Sequence, residues 1–151
     1  YECELVLRIS KNGKYIQERH AANYYNGITV GIDFTARDIQ DDCKKNGLPW
    51  EKAKAFDNSA AVGKFIDLTP DFNKKNIEFS LTKNNETVQK GNASQMIFSF
   101  DSIISHISNY FSLNIGDLIF TGTPAGVGEC VVGDELEAFL NGQSLLKLEV
   151  K

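Results

Sequence analysis

Glu2 and Glu4 stand one residue apart in YECEL, at the first step of a 151-residue chain. On a strand, residues i and i+2 point to the same side, about 6.6 Å apart at ~3.3 Å of rise per residue. Two glutamates so placed can converge on one hard divalent cation such as Mg²⁺, which prefers oxygen ligands. The same pattern is more often the wet face of a strand, so the pair needs further support. Asp33, in GIDFTARD, follows an apolar run and precedes a helix, and a carboxylate at such a switch, beside the positive helix end, is a recurring place for ligands. Its plainer role would be a second capping acid. Arg37 and Gln40 are three apart and share a helix face that can border a cleft, or else form a solvated pair. Lys54 lies between Ala53 and Ala55, whose small side chains let it approach a pocket, although isolated lysines are mostly solvated. FTGTPAGVG joins a strand end to Thr123, Pro124 and glycines, a loop whose main-chain N–H groups can bind an anion. It has neither the P-loop nor the dinucleotide pattern, and a Gly-rich surface turn is the alternative. His20 and His106 have no Ser or Cys partner in a known nucleophile motif and read as surface or rim residues.

The elements that must position these residues follow from patterning. Cys3, Leu5, Leu7 and Ile9 alternate with Glu2, Glu4, Val6 and Arg8, the period of a strand with one core face. SKNGK reads as a turn and residues 14–26 mostly as loop, with GITVGIDF a buried strand after it. TARDIQDDCKKNGLP reads as a helix. Thr35 is its expected N-cap with Asp38 completing a capping box, Ala36, Ile39 and Cys43 its apolar stripe, and Gly47 and Pro49 its end. PWEKAKAFD holds a short helical turn. NIEFSLTKNNETVQKG reads as a hairpin around Asn84-Asn85, and DELEAFLNGQSLLKLEV as a second around Asn141-Gly142. SFDSIISHISNYFSL reads as an amphipathic helix with Ile103, Ile104, Ile107 and Phe111 inward, and GDLIFTGT as a strand. The expectation is one β-rich α+β domain.

Composition narrows the function classes. The net charge of −4 is spread without long blocks, and no basic stripe of a nucleic-acid binder is visible. No apolar run approaches the ~20 residues of a membrane-spanning helix, and no signal-peptide pattern is present. The three cysteines, Cys3, Cys43 and Cys130, are far apart, odd in number and match no zinc spacing, which points to a reducing compartment and a cytoplasmic setting.

Taken in order, YECEL, GIDFTARDIQDDCKKNGLPWEKAKAFDNSAAVG, FTGTPAGVG and GDELEA resemble the catalytic domain of the fumarylacetoacetate hydrolase family. Within that family they look most like the acylpyruvate hydrolase and oxaloacetate decarboxylase branch, over residues 1–150. The resemblance implies a mixed β-sandwich roll, a homodimer, and Mg²⁺ or Mn²⁺ in the site. The family's metal carboxylates fall on Glu2, Glu4 and Asp33, its substrate-contacting helix residues on Arg37 and Gln40, its active-site lysine on Lys54, and the threonine of its G-T-P loop on Thr123. Lys54 and Gln40 are thereby the expected catalytic residues. The family's lid, with a His–Glu pair that activates water, would lie before Tyr1, so residues 1–151 are expected to be a single catalytic domain without that lid segment. The family often has a larger apolar residue at the position of Cys3, which faces the core. The implied activity is divalent-metal-dependent cleavage of a C–C bond in a small 2-oxo acid, by acylpyruvate hydrolysis or oxaloacetate decarboxylation. The alternatives are an isomerase or hydratase of 2-hydroxy-dienoate acids, and a non-catalytic metal-binding remnant.

Overall fold

The computed structural model describes residues 1–69 and 71–151. In chain order the elements are β1 (Cys3–Ile9), α1 (Glu18–Ala21), β2 (Tyr25–Asp33), α2 (Arg37–Asn46), α3 (Glu51–Lys54), β3 (Ala60–Val62) and β4 (Ile66–Asp67). They continue with β5 (Glu78–Lys83), β6 (Glu86–Asn92), α4 (Phe100–Tyr110), β7 (Leu118–Phe120), β8 (Glu135–Leu140) and β9 (Gln143–Glu149). One sheet runs β3-β2-β1-β7, with β4 also pairing β2, and the other runs β6-β5-β8-β9. The pairings among these strands are antiparallel. Both expected hairpins form. Asn84 and Asn85 have φ of 51° and 68°, and Asn141 and Gly142 of 47° and 78°, the positive φ values that tight two-residue turns demand.

The core lies between the two sheets. Cys3, Leu5 and Leu7 of β1 pair with Ile32, Val30 and Ile28 of β2, so these six side chains share one face. They are buried together with Phe79 and Leu81 of β5 and Leu136, Ala138 and Leu140 of β8. Leu5 and Leu7 are among the largest fully buried side chains. Each such residue contributes about 1.5–3 kcal/mol through removal of apolar surface from water, and this clamps β1, the strand that contains Glu4 and directly follows Glu2, in one register.

Five local expectations give way to packing. The outer face of β1 is not wet throughout: Glu4 and Val6 are buried, with Phe120 lying beside Val6 across Gly31. Thr35 does not cap α2, because the N-cap falls on Ala36 with no side-chain bond and the Thr35 hydroxyl is taken by Lys54. Gln40 and Cys43, rather than Ile39, face inward on α2. Ile39 sits about 100° around the helix from Gln40 and is exposed. On α4 the buried residues are Phe100, Ile104 and Ser108, and Phe111 lies past the helix end, exposed. Residues 14–26 also contain α1, whose Ala21 is buried; the adjacent Ile16 is tied to α4 by Ile16 N–H donating to Ser108 Oγ at 2.8 Å.

Gly31 lies opposite Glu4 on β2. A Cβ there would come within 2.8 Å of Phe120 Cε1 and Val6 Cγ2 and 3.0 Å of the Ala61 carbonyl. Gly31→Ala is expected to destabilise the fold by about 1–3 kcal/mol through overpacking, read as a lower urea midpoint with unchanged slope.

Candidate active site

Main-chain pairing places the acids. Glu2 N–H donates to Asp33 O at 3.2 Å, and Asp33 N–H donates to Glu2 O at 2.9 Å. Two residues that exchange both bonds are directly opposite in an antiparallel pair, and their side chains share a face. Glu4, two residues on, joins that face. One carboxylate oxygen from each of Glu2, Glu4 and Asp33 lies within 4.8 Å of the others.

Three carboxylates this close repel one another, and the chain supplies cations to two of them. Lys54, at the end of α3, donates from Nζ to Glu2 Oε2 at 2.9 Å, Asp33 Oδ2 at 2.6 Å and Thr35 Oγ1 at 2.7 Å. These use all three donors of the ammonium group. Arg37, the first residue of α2, donates from Nη2 to Glu2 Oε1 at 2.5 Å and from Nη1 to Gln40 Oε1 at 2.8 Å. Lys44, two helical turns on, donates to the same Gln40 oxygen at 3.0 Å. Ala36 N–H donates to Ala53 O at 3.0 Å, and the buried Ala53 lets α3 approach closely enough to deliver Lys54.

Glu4 is treated differently. Its Oε2 accepts the Gly122 N–H at 2.6 Å, and among the described residues no cation of the chain pairs with it. Burial pushes the Glu4 carboxyl up to about 7; the Gly122 bond opposes this, and the charges of Asp33 and Glu2 add to it. Burial also works against the charge of Glu2, but bonds from Lys54 and Arg37 outweigh it and hold that carboxyl below its ordinary value. Lys54 is raised despite its burial, because Asp33 and Glu2 hold its proton. The Cys3 thiol is pushed up to about 12, first by burial and then by the charge of Glu4, and is inert as a nucleophile. An all-oxygen donor set with one buried, uncompensated acid is what a hard divalent cation neutralises, so these three residues fit such an ion.

The G-T-P loop reaches the same place from β7. Thr123 donates its hydroxyl hydrogen to Cys3 O at 2.8 Å and accepts from Gln89 Nε2 at 2.9 Å. Gln89 is a buried residue of β6 that the sequence reading does not single out. Its only advance signal is a long polar side chain at an inward position of an alternating strand. Arg37 borders a groove of about 1220 Å³, and Gly122 and Thr123 border a cleft of about 420 Å³, so the acidic cluster is bonded to the walls of both. His20 and His106 are exposed, with His106 against the Tyr110 ring at 5.3 Å between centroids.

Comparison with known proteins places this geometry among relatives. The profile described as fumarylacetoacetate (FAA) hydrolase C-terminal matches residues 1–151. The chain is 41% identical over 151 residues to the mitochondrial oxaloacetate tautomerase FAHD1 of Mus musculus, covering all of this chain and 68% of that protein. It is 40% identical over 148 residues to the oxaloacetate tautomerase YcgM of Escherichia coli (strain K12), covering 96% of this chain and 67% of that protein. Its fold superposes with a TM-score of 0.93 on the fumarylpyruvate hydrolase from Pseudomonas aeruginosa, solved in complex with Mn²⁺ and pyruvate. That pair shares 37% identity over 99% of this chain and 64% of the other.

The charge imbalance has a measurable consequence. The Glu4 carboxyl rises from its ordinary 4.5 to about 7 in the folded protein, so its ionisation erodes stability as pH climbs through that window. In chelator, Glu4→Gln is expected to stabilise the metal-free protein at pH 8 by about 1–3 kcal/mol, with the gain shrinking toward pH 4.5. Urea unfolding at the two pH values reads it, and equal stability of the two proteins at pH 8 would remove the proposed imbalance.

Proposed function

From its place in the fumarylacetoacetate hydrolase family, to which this chain belongs, we propose that the protein is a divalent-metal-dependent enzyme that cleaves a C–C bond in a small 2-oxo acid. The convergence of Glu2, Glu4 and Asp33, with Glu4 left without a cation of its own, carries the reading. A divalent cation held by these three carboxylates would supply Lewis acidity to a substrate that chelates it through its carboxylate and 2-oxo oxygens. The Mn²⁺ and pyruvate in the Pseudomonas aeruginosa relative support both halves of that pairing, with Mn²⁺ or Mg²⁺ as the ion here.

The chain's own residues take the remaining roles. Cleavage leaves an electron pair that delocalises onto the 2-oxo oxygen as an enolate. In decarboxylation the leaving group is CO₂; in hydrolysis water adds to the distal ketone and the acyl group departs as a carboxylic acid. In both, C3 finally takes up a proton. Lys54 stays protonated between Glu2 and Asp33 and offers positive charge where the enolate oxygen develops, the kind of contribution that is usually the largest in catalysis. Arg37 stands at the groove to meet the substrate carboxylate. Gln40 has its Oε1 taken by Arg37 and Lys44, which leaves its NH₂ group to donate to a substrate oxygen or a water. Thr123 has its hydroxyl hydrogen committed to Cys3 O, so its loop meets an anion through main-chain N–H groups.

A second reading is keto–enol tautomerisation, in which a proton moves between C3 and the 2-oxo oxygen and no C–C bond breaks. The names of the Mus musculus and Escherichia coli relatives favour it, and it draws on the same stabilised enolate. A homodimer, the assembly implied by the family resemblance, and a reducing compartment such as the cytoplasm, consistent with three free cysteines, complete the proposal.

The test is turnover by the full-length protein on acetylpyruvate, fumarylpyruvate and oxaloacetate, against 2-hydroxymuconate-type acids, with Mg²⁺, Mn²⁺ or chelator. Glu4→Ala and Asp33→Ala are expected to lower metal-dependent turnover by about 100-fold or more. Undiminished activity of either variant in chelator would sink the assignment, and enol-to-keto conversion without cleavage products would select the second reading.

A further inference from the structure

Gln89 is 2% exposed, on the second sheet, and its carboxamide reaches across to the first. Its Oε1 accepts the Cys3 N–H at 2.9 Å, between the two glutamates. Its Nε2 donates to Thr123 Oγ1 at 2.9 Å and to Pro124 O at 3.2 Å, on the loop whose Gly122 N–H holds Glu4. Thr123 returns its hydroxyl hydrogen to Cys3 O at 2.8 Å, which closes a ring of bonds around one residue of β1 and one turn of the loop. The amide has a fixed sense. A main-chain N–H must face its oxygen, while a carbonyl and a hydroxyl must face its nitrogen, so a flipped amide would lose all three bonds.

We propose that Gln89 is a positioning residue of the active site: by tying Cys3 to Thr123 and Pro124 it sets the distance between the Glu2–Glu4 strand and the Gly122 N–H, and so orients the Glu4 carboxylate for the cation. The inference rests on the metal-dependent reading above. Among the described residues no cation of the chain aims Glu4, so its orientation comes from Gly122, and Gly122 is the residue before the one Gln89 grips. The β7 ladder does not do this alone: its register ends at Phe120, and the main-chain bond from Thr121 N–H to Leu5 O at 3.2 Å stops one position short of Gly122. Pro124 has no N–H to donate, and its carbonyl accepts from Gln89.

The experiment uses the full-length protein and reads Mn²⁺ affinity by calorimetric titration, separately from kinetics on the preferred 2-oxo acid. Gln89→Met keeps the volume and removes all three bonds. It is expected to weaken Mn²⁺ binding and raise KM by about tenfold each, with kcat within about threefold, as outer-shell partners of metal ligands do. Thr123→Val removes the hydroxyl that Gln89 grips, and on that background the effect of Gln89→Met on Mn²⁺ affinity should fall to below about threefold, because residues acting through one another are not additive. Should Gln89→Met fail to fold by circular dichroism, Gln89→Glu carries the same comparison, since it keeps the acceptor for Cys3 N–H and loses the donor for Thr123 and Pro124. A variant that melts earlier but binds Mn²⁺ and substrate as the wild type does would overturn the positioning role, as would full additivity with Thr123→Val. Wild-type protein that neither binds Mn²⁺ nor turns over a 2-oxo acid would instead remove the functional reading on which the inference stands.

Discussion

Glu2 and Asp33 share one pair of main-chain hydrogen bonds, and the rest of the site is organised by what that pairing brings together. It forces two carboxylates onto one side of adjacent strands, where like charges directly opposite each other are unfavourable, and the strand period adds the third from Glu4. The core residues Cys3, Leu5 and Leu7 hold β1 in a register that cannot slip by one residue without exchanging the buried face for the outer one. The chain therefore keeps an electrostatically costly cluster by making its alternative costlier still. Lys54 and Arg37 offset the charge of Glu2 and Asp33, and neither reaches Glu4. The imbalance that remains is the chemical capacity of the site.

The two sheets divide the work. The first carries the acids on β1 and β2, and the chain between β2 and β3 leaves the sheet to form α2 and α3 before returning to the same strand. That excursion delivers Arg37, Gln40 and Lys54 to one edge of the cluster. The other edge is made by the 121–124 segment, which leaves β7 and is held to β1 by one main-chain bond and two side chains: Thr121 N–H and Oγ1 donate to Leu5 O at 3.2 and 2.9 Å, and Thr123 Oγ1 donates to Cys3 O at 2.8 Å. The second sheet supplies core and, through Gln89, the amide that fastens this segment from behind. Rigid strands on one side and a bonded loop on the other are what a preorganised site requires, since a misplacement of a fraction of an ångström weakens both ion and substrate binding.

Much of this is legible in the sequence. Alternation in 3–9 and the Asn84-Asn85 and Asn141-Gly142 turns identified their strands, because residue type and φ preference act locally. The spacing of Glu2 and Glu4 placed them on one side. The ordered motifs carried the family resemblance, and the seven residues it pointed to lie around one cluster. The local rules failed where tertiary contact competed. Thr35 is a good capping residue, but its oxygen meets Lys54 instead, because a charged donor makes the stronger bond. Ile39 yields the inner face of α2 to Gln40, whose amide oxygen accepts from Arg37 and Lys44. Glu4 is buried although its strand pattern put it on the wet face, because the side chains of Val6 and Phe120 fill the space over Gly31, the residue opposite it.

By itself the sequence determined which residues could do chemistry and which faces they occupy, since strand period and turn preference need only neighbours along the chain. It also carried, in the order of its motifs, the family to which the chain belongs. Only the tertiary structure decided that Asp33 lies opposite Glu2, that Lys54 bridges those two acids and leaves Glu4 to a single backbone N–H, and that Gln89 spans from one sheet to the other. Those facts are contacts between residues separated by 21 to 118 positions. Their existence depends on sheet order and register, which are set by how the two apolar faces pack against each other, and no local pattern along the chain encodes that.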